Sequence, residues 1–258
     1  MTGSLDRDAV INDYTRTYQA DYGFESVMVK ARQRLILELL ASKQPQVIVE
    51  VGCGSELLYE RVLDAGKPIS QWVIVEPSAQ FADMARSAVR PTVPCRVIEA
   101  YFEGAADEVL RTCVAPPDLV ICSGLLHEVP EPAALLAAAR SVLSGGPGLL
   151  HVDVPNALSL HRRLARRMGL VANEHDLTTR NLSLQQQRVF DLPELENAVC
   201  AAGFRPKERG GYFLKPFTHQ QMSSLSFLTP AMLDGLWELG QDLPELASEV
   251  FVDAELEP

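Results

Sequence analysis

In the stretch VIVEVGCGSELLYERV, residues 47 to 62, an acid interrupts an apolar run, two glycines follow one residue apart, and apolar residues then take up helical spacing. Gly52 and Gly54 are the residue type that lets a backbone turn sharply and come close to a ligand, and Glu50 places a carboxylate beside that approach. Two nucleotide turns fit poorly. A P-loop requires a lysine followed by Ser or Thr after its second glycine, where this chain has Ser55-Glu56-Leu57. The dinucleotide fingerprint puts a third glycine where helix and strand pack closely, and that position is Leu57.

A third turn, E/D-x-G-x-G-x-G, holds adenosyl-methionine; Glu50, Gly52 and Gly54 match it and Glu56 stands at the usual third glycine. That ligand carries an ammonium and a sulfonium against one carboxylate, so two acids attract it where they would repel a pyrophosphate. The next apolar run ends VIVEP, which places Glu76, followed by Pro77, 22 residues past Gly54, where an acid accepts hydrogen bonds from ribose hydroxyls. Tyr101 or Phe102, after VIEA, would flank the adenine, and Ser123 and Gly124 open the cleft at the end of the fourth run. Tight turning of a strand into a helix, solvated strand-end charge and ordinary core packing are the plainer readings of the same residues.

His127, just past the fourth run, stands where a methyl acceptor would lie, and an imidazole there can take a proton from a hydroxyl or amine. Its plainer role is to cap backbone carbonyls at a helix end. Further on, SLHRRLARR gathers His161, Arg162, Arg163, Arg166 and Arg167 into a basic stripe in an acidic chain. Such a stripe either faces solvent or grips an anionic acceptor, joined there by Arg188, Tyr212 and Lys215. Tyr14 and Tyr18, near the N-terminus, are candidates to close over the site.

These residues need a scaffold that delivers strand ends to one edge. From 47 to 153 the runs VIVEV, WVIVE, CRVIEA, DLVICS and GLLHVDV alternate with amphipathic stretches such as AQFADMARSAV and EPAALLAAARSVL. Short β-branched runs, apolar throughout, are parallel strands covered on both faces, and their alternation with helices means βαβ units. ESVMVKARQRLILELLAS, residues 25 to 42, predicts a first packing helix; LPELENAVCAAG predicts another; and FRPKERGGYFLKP predicts two strand-like pieces with Gly210-Gly211 at a turn or bulge. Residues 155 to 189 are basic, polar and too long for a plain connection, and the tail from 218 reads as one or two cap helices.

The net charge of −11 argues against a surface that neutralises phosphates, so nucleic acid and anionic membrane are poor partners and a small-molecule acceptor is expected. No apolar stretch reaches the roughly 20 residues of a membrane span, and MTGSLDRDAV is not a signal sequence, so a cytoplasmic location is expected. Five scattered cysteines form no C-x-x-C pair, the acids form no evident oxygen-ligand cluster, and no metal is expected. The oligomeric state is left open between monomer and homodimer.

On these motifs, residues 47 to 153 resemble a class I adenosyl-methionine-dependent methyltransferase. DVPNALSLHRRLARRMGL, RVFDLPELENAVCAAGF and GGYFLKPF are similar to a bacterial methyltransferase group associated with surface-polysaccharide or natural-product clusters, from which Glu56 and Gln186 (a histidine is expected there) depart. The resemblance implies a doubly wound, Rossmann-like, seven-stranded, mostly parallel α/β sheet, with a helical insertion after strand five and a helical C-terminal cap. It divides the chain into an N-terminal lid and packing helix (1–42), the donor-binding domain (43–217, insertion 155–189) and cap helices (218–258). The function implied is methyl transfer from adenosyl-methionine to an oxygen or nitrogen of a small molecule. Against it stand a nicotinamide-dependent oxidoreductase on a similar fold and a non-catalytic interaction protein.

Overall fold

The computed structural model describes residue 11, residues 23 to 66 and residues 68 to 257. Tyr14 and Tyr18 lie outside the described residues. In chain order the elements are α1 (Glu25–Lys43), β1 (Val47–Val51), α2 (Leu58–Asp64), β2 (Gln71–Val75), α3 (Ala79–Ala88), β3 (Cys95–Ile98), α4 (Phe102–Thr112), β4 (Leu119–Ser123), α5 (Pro132–Leu143) and β5 (Leu149–Pro155). There follow α6 (Leu160–Arg167), α7 (Thr179–Ser183), α8 (Leu192–Ala201), β6 (Phe204–Tyr212), α9 (His219–Ser223), α10 (Pro230–Asp242) and β7 (Glu249–Leu256).

The strands form one sheet in the order β3-β2-β1-β4-β5-β7-β6, parallel from β3 to β5, with β7 antiparallel to both of its neighbours. Alternate residues of each strand feed opposite cores. Val49, Val51, Val73, Val75, Val120 and Cys122 pack with α4, α5 and α8, whereas Ile48, Trp72, Ile74, Leu119 and Ile121 pack with α1, α2 and α3. The period-two geometry of a strand thus explains why these runs are apolar throughout: neither face reaches water. Strand order reverses at β1, between β2 and β4, and opens a crevice at their carboxyl ends.

The tail corrects one expectation. α9 and α10 are helical, but residues 249 to 256 are a strand threaded between β5 and β6, with Pro155 and Tyr212 both opposite Glu249. Its first six residues are buried, acids included. The anticipated turn at Gly210-Gly211 is also absent: β6 is continuous and its register shift falls between Pro206 and Glu208. Both glycines are there for close approach, because a Cβ on Gly210 would sit 2.9 Å from the Phe251 ring and one on Gly211 2.7 Å from the Pro244 carbonyl oxygen. A third cluster, with Met28 and Leu35 of α1, Tyr212, Phe213, Trp237 and Phe251, closes the β6–β7 side.

Candidate active site

The crevice widens into a cavity of about 1530 Å3. It is larger than the roughly 300–1,000 Å3 of common small-ligand sites, which leaves room for two ligands side by side. One half is built by the turn between β1 and α2. Gly52 (φ +74°) and Gly54 (φ +59°) hold left-handed backbone, and beyond the missing Cβ of Gly54 no atom lies within 4 Å. A side chain there would fill part of this half, so the turn is shaped as a cradle.

Glu50 and Glu76 are the two acids of this half, each about 5% exposed or less. Glu76 accepts the Cys53 amide at 3.0 Å and the Ser78 amide at 2.8 Å; burial raises its pKa, and these two amides hold it back. Glu50 accepts the Trp72 indole N–H at 2.8 Å, and burial pushes its pKa up to about 8. A carboxylate buried without a cation calls for one, which an ammonium in the cradle would supply. Pro77, Tyr101, Phe102, Ser123 and Gly124 all line the same cavity. Phe102 is also a core residue, so it walls the cavity with its base fixed. Glu56 lines the cavity as well, ahead of the α2 N-cap Leu57. The residue set fits adenosyl-methionine: an open cradle, two buried acids and an aromatic wall.

His127 sits between the halves in the loop after β4, and its carbonyl accepts the amides of Gln187 and Arg188. Its environment departs from that of a free imidazole. Burial first, and then the Arg32 charge, push its pKa down to about 3. Gln186 Nε2 lies 3.1 Å from its Nε2. The Thr178 amide can only donate, so Asn181 Oδ1 accepts from it; Asn181 Nδ2 then donates to Gln186 Oε1, and Gln186 Nε2 donates to the imidazole. The residue found where a histidine was expected therefore engages the Nε2 lone pair of His127.

The other half lies over the ends of β5, β6 and β7 and carries charge that the sequence reading missed. Arg32, on α1, is paired with Asp153 and Glu249 at 3.3 Å each and with Glu25 at 3.6 Å. Glu25 in turn binds His219 Nε2 at 3.1 Å, while Lys215 Nζ donates to His219 Nδ1 at 2.9 Å. Below them His151 bridges Asp253 at 2.6 Å and Asp153 at 3.1 Å. The only hint of Arg32 in the sequence was a cation on a helix read as packing.

Of the residues expected to hold an acceptor, His161 and Arg162 line this half, but Arg188 and Tyr212 do not. Arg188 bonds the Pro130 carbonyl at the surface, and Tyr212 is wholly buried with its hydroxyl on Asp153. The basic stripe is mostly structural: Arg162 holds the Glu174 and Asp176 carbonyls, Arg163 the Leu158 carbonyl, and Arg166 the Glu174 carboxylate. His175, Asp191 and Glu194 form the one group with metal-ligand spacing among the described residues; Asp191 and Glu194 already cap α8.

Residues 24 to 208 match the family model described as a methyltransferase domain. The chain belongs to that methyltransferase family. It is an adenosyl-methionine-dependent enzyme of methyl transfer. The methyltransferase is 25% identical over 173 residues to a ubiquinone biosynthesis O-methyltransferase of Ralstonia nicotianae, spanning 66% of this chain and 68% of the relative. With the enzyme of the same description from Bordetella avium it shares 25% over 115 residues, 45% of each chain. Among solved structures, the plantazolicin methyltransferase BamL, bound to a desmethyl-plantazolicin analogue and adenosyl-homocysteine, matches with a TM-score of 0.57 at 13% identity over 98% of this chain and all of that one. The N-methyltransferase NodS of Bradyrhizobium japonicum matches at 0.52, with 10% identity over 89% and 87%. These two share the fold. Among the described residues no helix is long and apolar enough to cross a membrane.

Proposed function

We propose that the methyltransferase moves a methyl group to a hydroxyl oxygen of a small organic acceptor seated in the β5–β7 half of the cavity. The observation that carries this reading is the polar wall of that half, buried Glu249 and Lys215 with half-buried His219 and His161, lining the cavity beyond the donor cradle. That both relatives are O-methyltransferases supports oxygen as the atom methylated.

When bound, adenosyl-methionine supplies an electrophilic methyl group on a positively charged sulfur. Glu76 would accept hydrogen bonds from its ribose hydroxyls, Glu50 would offset its ammonium, the Gly52 and Gly54 turn would let the main chain approach, and Tyr101 and Phe102 would wall the adenine. Ser123 and Gly124 line the passage between the halves. Holding donor and acceptor in line supplies much of the rate, since an aligned pair reacts at a large effective molarity. His127, neutral and with its Nε2 engaged, serves as a hydrogen-bonding wall between the two ligands.

The test has two parts. Calorimetry should show binding of adenosyl-methionine and none of NAD, and transfer of an isotopically labelled methyl group should be found on phenols or alcohols within a panel that includes amines. Labelled amines with unlabelled hydroxyls would reverse the choice of oxygen, and NAD binding alone would remove the reading altogether.

A further inference from the structure

Methylating an ordinary hydroxyl leaves a proton to be placed, and the chain must offer a site for it. His127 is poorly suited: its Nε2 already accepts from Gln186, and its basicity is low. Among the cavity-lining carboxylates of the β5–β7 half, Glu25 is committed to His219, Arg32 and Arg180. Glu249 is different. It begins β7, is 4% exposed and lines the cavity; Arg32 Nη2 holds its Oε1 at 3.3 Å, and its Oε2 has no hydrogen-bond partner among the described residues.

Its position is as telling as its free oxygen. The Arg32 guanidinium that anchors Glu249 also lies 3.0 Å from where a Cβ on Gly124 would be. The carboxylate therefore stands one guanidinium away from the donor side of the cavity. Lys215 shares that wall at 3% exposure, with His219 Nδ1 as its hydrogen-bond acceptor, so N–H groups of its ammonium remain to be placed. A buried carboxylate with a free oxygen and a buried ammonium with free donors, more than salt-bridge distance apart, together match a group that both donates and accepts.

We propose that Glu249 is the catalytic base and, with Lys215, the acceptor subsite: the acceptor hydroxyl donates to Glu249 Oε2 and accepts from Lys215 Nζ. This rests on the reading of the enzyme as an O-methyltransferase. In the step, the acceptor's O–H bond breaks and its proton passes to Glu249 Oε2. The oxygen lone pair forms the new C–O bond, and the electron pair of the breaking C–S bond stays on sulfur. Glu249, then a carboxylic acid, returns its proton to solvent after the product leaves, which balances the cycle.

Charge around Glu249 suits this task. Burial raises its pKa, Arg32 lowers it, Asp153 and Glu25 raise it, Lys215 lowers it, and it comes to rest at about 7. Tyr212, opposite Glu249 on β6, is a further titratable neighbour, and His219 on α9 acts on the group through Glu25. Lys215 is itself pulled down to about 8, chiefly by burial. A base with a pKa near the working pH is the best compromise between being ionised and being basic. The active form needs Glu249 ionised and Lys215 charged, so activity rises on the acid side as Glu249 loses its proton and falls on the alkaline side as Lys215 loses its own, both limbs drawn toward neutrality by burial.

The experiment compares the full-length enzyme with Glu249→Gln. Carbon-13 NMR of glutamate carboxyls, with adenosyl-homocysteine bound, should show one resonance titrating near neutrality that vanishes in the variant. On an ordinary phenol that the wild type methylates, kcat should fall on the order of a hundredfold or more and the acid limb of the pH profile should disappear. On a dinitro-substituted phenol, fully ionised at neutral pH, the loss should be less than about tenfold, since no proton needs removing. Unchanged affinity for adenosyl-homocysteine establishes that the variant folds. Equal losses on both phenols, or an unchanged profile, would overturn the proposal. If the wild type methylates no hydroxyl, the O-methyltransferase reading fails by itself, and a Glu249 carboxyl titrating in the ordinary carboxylate range removes the base independently.

Discussion

The guanidinium of Arg32 fills the space into which a Cβ on Gly124 would project, with its nearest atoms 3.0 Å away. Gly124 also holds a left-handed φ of +61°. Glycine is therefore required twice, for the backbone and for the neighbour. Gly124→Ala should cost about 1–2 kcal/mol through its backbone conformation alone, measured by denaturant unfolding. By pushing Arg32 off Asp153 and Glu249 it should also disturb the acceptor half and raise the acceptor KM, whereas Gly54→Ala should weaken donor binding by filling the cradle while leaving that ion network intact.

The network has a pH signature through His151. Burial alone would lower the pKa of this wholly buried imidazole, but Asp253 and Asp153 outweigh it and push the value up to about 10. A raised folded pKa means that the contribution is fully present below the unfolded value of about 6.5 and is lost as pH rises through about 10. Unfolding free energy should therefore decline between pH 6.5 and 10 in the wild type. His151→Leu should lose about 3–5 kcal/mol, because Asp253 is left buried without its hydrogen-bonded cation and Asp153 keeps only Arg32 to balance its charge, and should flatten the dependence in that window.

How far these features could be read in advance depends on where their partners lie. Strands β1, β2 and β4 were legible because their runs are apolar on nearly every position of both faces, β3 and β5 because short apolar runs persist around Arg96 and around His151 and Asp153, and Glu50, Gly52, Gly54 and Glu76 because the turn and the strand end are local patterns. β7 was not legible, since EVFVDAEL carries acids that break its apolar pattern and was read with the rest of the tail as a cap helix. Their partners are Arg32, 217 residues from Glu249, and His151, 102 residues from Asp253. A buried acid looks like a surface acid until its cation is known. Tyr212 and Arg188 failed in the opposite sense: their types suit ligand binding, but Asp153 and the Pro130 carbonyl already engage them.

Glu50 predicts a proton linkage in donor binding. With its pKa pushed up to about 8, the carboxyl is largely protonated at pH 7 in the free enzyme. An ammonium placed beside it favours the charged form, so binding should release close to one proton there. Calorimetric titration with adenosyl-homocysteine in buffers of different ionisation enthalpy should give heats that vary with the buffer. Glu50→Gln should make them independent of it, and heats that do not vary in the wild type would place the ammonium elsewhere.

The insertion offers a contrast between two arginines that look alike in sequence. The Arg162 guanidinium holds the Glu174 carbonyl at 2.7 Å, the Asp176 carbonyl at 2.6 Å and Asn181 Oδ1 at 3.5 Å. It thus ties α6 to the segment that carries Thr178, Asn181 and Gln186, the relay that ends on His127. Arg162→Ala should cost about 1–3 kcal/mol, because it leaves these acceptors unpaired, and should speed proteolysis between residues 170 and 189. Arg162→Lys should not restore protection, since one ammonium cannot reproduce a planar fork across three oxygens. Arg188→Ala, which breaks one exposed bond to Pro130, should stay within about 0.5 kcal/mol of the wild type and leave the acceptor KM unmoved. A KM that rises in Arg188→Ala would mean that the acceptor reaches past the cavity rim to the surface where Arg188 lies.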